Sequence, residues 1–260
     1  MSWRRRCSQA LALLALALPL ACGGSGGPDD AAAPGEVLFA GEAGELVPHA
    51  LRRTAAYRVA ATVDGATEVS SFRATVTEDR SDGVFQTRYE SASGALARSV
   101  SRDGGSELRV ERFVNDPGGP DARDVLLDPP VVVVRTPVVA GDAIETSFAR
   151  ALDLRVTVGD ATERRQVLFV GSARRVPVER DAVTVPDGTF DAIRYAVEAR
   201  GEASVPILGA SLAFVAEVRG DEWFAPGVGG VKEELEVRLS AGDATAVVRF
   251  VTERVSGSVR

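Results

Sequence analysis

The sequence predicts an all-β domain: antiparallel meander sheets forming a strongly curved sheet, a half-barrel or a barrel, with two similar halves as one arrangement of it. Three observations carry the prediction. From Tyr57 onward apolar and polar residues alternate with a period of two, the pattern of strands with one buried face. Turn signals punctuate that alternation at Asp64-Gly65, Ser81-Asp82-Gly83, Asp103-Gly104-Gly105, Pro186-Asp187-Gly188 and Pro226-Gly227. No stretch of helical period supplies the crossover that parallel strands need.

Residues 1–21 read as a processing signal rather than as part of the fold. Arg4, Arg5 and Arg6 form a basic n-region, and Ala10–Ala21 an apolar h-region whose twelve residues are too few to span a bilayer as a mature helix. The run Leu18-Pro19-Leu20-Ala21-Cys22-Gly23-Gly24 resembles the lipobox of bacterial lipoproteins, with Pro19 and Leu20 departing from the residues usual at those places. The resemblance implies that Cys22 becomes the mature N-terminus and carries acyl chains such as palmitate. The rival reading, an ordinary secretory signal, needs small residues one and three before the cut, and Pro19 spoils that for a cut after Ala21. Gly23 rather than Asp after the cysteine implies an outer-membrane lipoprotein facing the periplasm, by the sorting rule of enteric bacteria. Residues 22–35, rich in Gly, Pro, Ala and Asp, read as a flexible tether, and 36–260 as the β-rich domain, with halves at 36–115 and 125–260.

Composition excludes several functions. Loss of residues 1–21 removes three basic residues and no acidic one, leaving 27 basic against 37 acidic, a net charge of about -10. Such a chain has no electrostatic footprint for nucleic acid. Cys7 leaves with the signal and Cys22 is consumed, so the mature domain has no disulfide, and its core alone must stabilise it. His49 is the only histidine; without Cys or a second His it makes no zinc site, without a nucleophile elbow no Ser-His-Asp triad, and it reads as an incidental loop residue.

Strands follow in order. Glu36–Glu45 is a weak lead-in. Tyr57, Val59, Ala61 and Val63 share one face; Ser70–Glu78 returns with Phe72, Ala74 and Val76 inward; Val84–Glu90, Ala95–Ser101 and Glu107–Phe113 complete a meander. Residues 115–121, Asn-Asp-Pro-Gly-Gly-Pro-Asp, break the chain; their acids with Asp124 suit a hard cation chemically, but the spacing matches no EF-hand and a plain loop explains them. Beyond lie Val131–Val134, Ile144–Ala149, Leu152–Val158, Gln166–Gly171 and three strands between Val183 and Leu239, with Ile193, Tyr195, Val197, then Leu212, Phe214, Ala216, Val218, then Leu235, Val237, Leu239 as apolar faces. Ala244–Val255 closes the series. Arg194, Glu198, Arg200, Glu217 and Arg219 fall opposite the apolar positions and read as solvated sheet face.

Three segments resemble a known family. Val138-Val139-Ala140-Gly141-Asp142, Val185-Pro186-Asp187-Gly188-Thr189-Phe190 and the run from Glu222 to Lys232, Glu-Trp-Phe-Ala-Pro-Gly-Val-Gly-Gly-Val-Lys, are similar to motifs of the TapB-like secreted bacterial β-rich domains, over residues 137–240. The Trp expected after Gly141-Asp142 is absent. The resemblance implies an antiparallel sheet curved about an apolar interior, in the manner of periplasmic lipoprotein carriers, and no catalytic residues.

The glycines at 227, 229 and 230 precede a strand rather than a helix N-terminus, so they read as turn residues and not as a phosphate cradle. No carboxylate pair is marked by spacing for glycoside hydrolysis. The expected function is a non-catalytic structural or interaction module of the cell envelope, held to the membrane by Cys22, with an envelope protein as partner and no cofactor or metal. The alternative is a carrier of a lipid or other apolar ligand on the concave face, for which inward Ala74, Ala192, Ala199 and Ala216 leave room; an enzyme is the third and least supported class. Trp223, the only tryptophan of the mature chain, reads as a packing anchor whose indole N–H finds a backbone carbonyl.

Overall fold

A computed structural model describes residues 32–115, 123–158, 161–207, 210–242 and 244–257. The signal, Cys22 and most of the tether lie outside the described residues, as does the candidate cation loop but for its first residue and Asp124. The described chain forms β1 (Val37–Phe39), α1 (Ala43–Leu46), β2 (Thr54–Val63), β3 (Ala66–Asp79), β4 (Val84–Ser91), β5 (Gly94–Asp103), β6 (Glu107–Asn115), β7 (Arg123–Arg135), β8 (Val138–Val139), β9 (Ile144–Val158), β10 (Ala161–Val185), β11 (Gly188–Ile207), β12 (Ala210–Ala225), β13 (Gly229–Ala241) and β14 (Ala244–Gly257). The all-β reading holds, as one curved antiparallel sheet that does not close its hydrogen-bond ladder.

Twelve strands make that sheet in the order β7-β6-β5-β4-β3-β2-β14-β13-β12-β11-β10-β9. Two meanders, β2 to β7 and β9 to β14, are joined where β2 pairs with β14, so the stretches 36–115 and 125–260 contribute to a single sheet. The edges β7 and β9 are near neighbours in sequence, and the sheet curls until they pack against each other without pairing. Right-handed twist accumulated over many strands favours such curling. Hairpin turns follow the sequence signals: Asp64 and Gly65 both take positive φ, 50° and 77°, as a two-residue turn between β2 and β3 requires.

Several strands run longer than the alternation alone indicates. β7 begins well before Val131 and carries Pro129 and Pro130 where its register with β6 shifts, which an edge strand tolerates because the missing N–H groups break no second ladder. Ile144–Ala149 and Leu152–Val158 are one strand, and Gln166–Gly171 is part of the 25-residue β10. The lead-in resolves into β1, paired with β8, and the short helix α1.

Two clusters fill the concave side. In the middle of the sheet Val59, Ala61, Ala199, Val218, Leu235, Val237, Val248 and Phe250 bury one another. Toward one end Val76, Phe85, Leu108, Val134, Ile193, Tyr195 and Val197 pack on Leu38 of β1 and on Ala43 and Leu46 of α1. The N-terminal segment is thus a plug. Burial of a side chain such as Leu46 contributes about 1.5–3 kcal/mol, and backbone bonds from Ala43 N–H to the Gly105 carbonyl (2.7 Å) and from Gly227 N–H to the Glu45 carbonyl (2.7 Å) fix its place. The end of the expected tether belongs to the fold: Ala32 N–H donates to the Val178 carbonyl and Gly35 N–H to the Ala140 carbonyl.

The convex side carries an alternating ladder of directly opposed residues, Glu145, Arg174, Glu198, Arg219, Glu236 and Arg249, one from each strand β9 to β14. Each exposed pair is worth about 0–1 kcal/mol. The same charges facing hydrocarbon would each cost about 2–4 kcal/mol at mid-bilayer for the arginines, so this wall is built for water. Among the described residues no helix is long and apolar enough to cross a membrane.

Candidate functional site

The turn-rich stretch that resembles the β-rich family is held by side chains from distant strands. Arg254 of β14 is buried, with its side chain 2% exposed; its Nε donates to Asp187 Oδ2 (2.6 Å) and its Nη1 to the Val228 carbonyl (3.0 Å). It therefore staples the Pro186-Asp187 turn to the Pro226–Val228 turn. Arg53 Nη2 donates to the Gly227 (2.5 Å) and Val228 (3.2 Å) carbonyls, and the Tyr57 hydroxyl to the Gly230 carbonyl (3.1 Å). Burial pushes the Tyr57 phenol up to about 12. The glycine run presents carbonyls to arginines, the reverse of a phosphate cradle, which presents N–H groups to an anion. Gly227 and Gly229 take positive φ, 73° and 94°, where a β-carbon would be strained.

Trp223 is a packing anchor, but not as the sequence suggests. It lies on the convex side, 7% exposed, among Val183, Val185, Ala192, Ala225 and Val231, with the Lys232 ammonium 5.1 Å from its ring centroid. Its indole Nε1 donates to Asp181 Oδ2 (3.4 Å), not to a backbone carbonyl. Ala192 packs with it and so does not line the concave face. Arg194, expected in solvent, is buried at 9% exposure and pairs with Glu179 (2.6 Å) and Asp221 (3.3 Å). Burial raises the Asp221 carboxyl, and Arg194 offsets it. His49 is more than a loop residue: it stacks edge-on against Phe85 at 4.4 Å and approaches Asp103 Oδ2 at 3.5 Å.

The concave side holds a polar cluster that the alternation conceals. Along β12 the inward stripe continues from Val218 through Gly220 to Glu222, and along β13 from Leu235 back to Glu233, because strand parity places these acids inward. Glu222 stands directly opposite Tyr195 on one side and Glu233 on the other. Arg175 of β10, 3% exposed, reaches across: Nη2 lies 2.9 and 2.7 Å from the two Glu222 oxygens, and Nη1 donates to the Val133 carbonyl of edge strand β7 at 2.7 Å. One guanidinium thereby ties β12 to β7. Burial, then the facing Glu222, push the Glu233 carboxyl up to about 8, while Thr252 and Arg175 pull it down. Burial raises the Tyr195 phenol as well. Its hydroxyl, fully enclosed, has no hydrogen-bond partner among the described residues.

A groove of about 440 Å³ lies on the convex side of β9 to β12, lined by Arg174, Glu198, Arg200, Glu217 and Arg219 among others. Its charges alternate in sign, with Arg200 paired to Glu202 (2.9 Å) and Glu217 (2.5 Å). Glu198, Arg200, Glu217 and Arg219 stand on the solvated face as the sequence suggests, unlike Arg194. Among the described residues no group of three His, Cys, Asp or Glu side chains is placed to hold a metal ion.

Arg175, Glu222 and Arg254 escape sequence reasoning because each sits where strand parity, not residue type, decides burial. The signal that was available is the interruption of an apolar inward stripe by Glu222 and Glu233 at the ends of two neighbouring strands.

These features define a class: an open, curled antiparallel sheet with a solvated convex wall, an N-terminal plug and a buried ion pair whose arginine also bonds across the seam to β7. No family model matches the chain, and no curated protein is similar to it. Two solved structures align with it over 81% of this chain and 97% of theirs at 13% identity. They are a predicted lipoprotein from Parabacteroides distasonis, with a TM-score of 0.41, and a predicted exported protein with a YmcC-like fold from Bacteroides fragilis, with a TM-score of 0.35. Likeness of this degree carries no argument about function.

Proposed function

We propose that the chain is a lipoprotein of the cell envelope, anchored through Cys22, whose β-domain serves as a non-catalytic structural or interaction module at the periplasmic face of the outer membrane. The observation that carries the reading is the sequence Leu18–Gly24, an apolar run ending at a cysteine and followed by a Gly-rich segment, placed directly before a domain with no other thiol. The charged ladder of the convex wall supports a domain that stands in water beside a membrane. Mutual burial of the inward side chains around Phe250 and Leu235 supports a module over the alternative of an apolar-ligand carrier, since an open ligand cavity leaves its lining exposed. The kinship with TapB-like domains rests on the motif residues alone.

Mass spectrometry of the mature N-terminus tests the anchor. A diacyl or triacyl cysteine at position 22 is the expected result, and an unmodified N-terminus further along the chain would sink it. Organic extraction of the purified protein tests the module against the carrier: no stoichiometric lipid is expected, and one lipid per chain would move the assignment to the carrier.

A further inference from the structure

We propose that the seam between β7 and the β10–β12 wall is a proton-controlled closure: Arg175 holds Val133 and Glu222 together while Glu233 carries its proton, and loss of that proton loosens the hold. The geometry is the basis. The edges β7 and β9 pack without a hydrogen-bond ladder, so the sheet is shut along this line by side chains, and Arg175 Nη1 to the Val133 carbonyl is a direct bond across it. That guanidinium has one positive charge, and Glu222 already matches it.

Glu233 is directly opposite Glu222 on the neighbouring strand. The groups that face it are Glu222 of β12, Arg175 of β10, Thr252 of β14 and Tyr57 of β2; Tyr195 of β11 faces the same ion pair. Among these Arg175 is the only cation acting on Glu233. A protonated Glu233 leaves the interior neutral. An ionised one sets two carboxylates side by side, Glu222 buried and Glu233 half-buried, where like charges repel, and both compete for one guanidinium. The relief available is movement of Arg175 toward the pair, which breaks its bond to Val133, together with entry of water along the seam.

The sign follows from linkage. The Glu233 carboxyl lies at about 8 in the folded chain against an ordinary 4.5. Its stabilising contribution is therefore complete below pH 4.5, falls as pH rises through the interval, and is gone above about 8. The seam opens on the alkaline side.

The test is amide hydrogen exchange of the full-length protein, expressed as protection relative to the unstructured chain so that base catalysis cancels. Between pH 6 and 9, protection at residues 131–135 of β7 and 172–178 of β10 is expected to fall about tenfold while β3 to β5 hold theirs, the mark of local rather than global opening. In Glu233→Gln, which keeps shape and removes the charge, protection at the seam stays constant over the same range. A seam in Glu233→Gln that loses protection with pH as the wild type does, or a loss spread evenly over all strands, would overturn the proposal. Carbon-13 titration of the Glu233 carboxyl in the wild type is the second measurement: a midpoint in the ordinary carboxylate range overturns it regardless of how the variant behaves.

Discussion

Arg254→Ala is expected to destabilise the domain by about 3–5 kcal/mol, the range for removing one partner of a buried ion pair. The side chain is almost fully enclosed and serves two acceptors in different turns, the Asp187 carboxylate and the Val228 carbonyl. Truncation leaves a cavity, a Val228 carbonyl with only the longer bond from Arg53, and a carboxylate without its cation. Asp187 is 23% exposed, so water recovers part of the loss, which places the result toward the lower end. Arg254→Lys keeps the charge but not the fork that reaches both acceptors, and should recover less than half of the deficit. Urea unfolding measures this as a fall in midpoint with unchanged slope. A change under about 1 kcal/mol would mean that the two turns are held by Arg53 and Tyr57 without Arg254.

Trp223→Ala should cost a similar amount, about 3–5 kcal/mol, by loss of a large buried ring and creation of a cavity. The ring contacts side chains from β10, β11, β12 and β13, so the cavity opens where four strands meet and cannot collapse by moving one of them. Trp223→Phe keeps most of the apolar contact and loses the bond to Asp181, and is expected to cost about 1–2 kcal/mol. If Trp223→Ala leaves the melting temperature unchanged and instead abolishes binding of a partner or lipid, the residue belongs to a recognition surface and not to the packing.

Local sequence reports strands well and their ends poorly. Runs such as Ile193, Tyr195, Val197 and Leu235, Val237, Leu239 declare an inward face because burial on one side of a pleated strand enforces a period of two. The prolines at 129 and 130 hide the first half of β7, since a central strand would exclude them and only the tertiary structure makes β7 an edge. The unbroken run of β9 is hidden for a related reason: Arg150 interrupts the even-numbered stripe that Ile144 and Phe148 begin and Leu152 resumes, and such a gap looks like a turn when the partner strand is unknown.

Burial of charge is legible only in part. Glu198, Arg200, Glu217 and Arg219 are on the solvated side, as their alternation states. Arg194 obeys the same alternation and is buried all the same, because the irregular pairing between Pro177 and Glu179 brings Glu179 against it. Glu222 reads as the start of a conspicuous turn motif, and nothing near it in sequence announces Arg175, 47 residues away.

By itself, then, the sequence determined the fold class, the antiparallel connectivity and most hairpin turns, because each of these depends on residues close together in the chain. Tertiary structure alone decided that β2 pairs with β14, that residues 32–46 plug one end, and that Arg175 and Arg254 bridge elements tens of residues apart. Those outcomes depend on how far the twisted sheet curls before its edges meet, a sum over twelve strands that no local window contains.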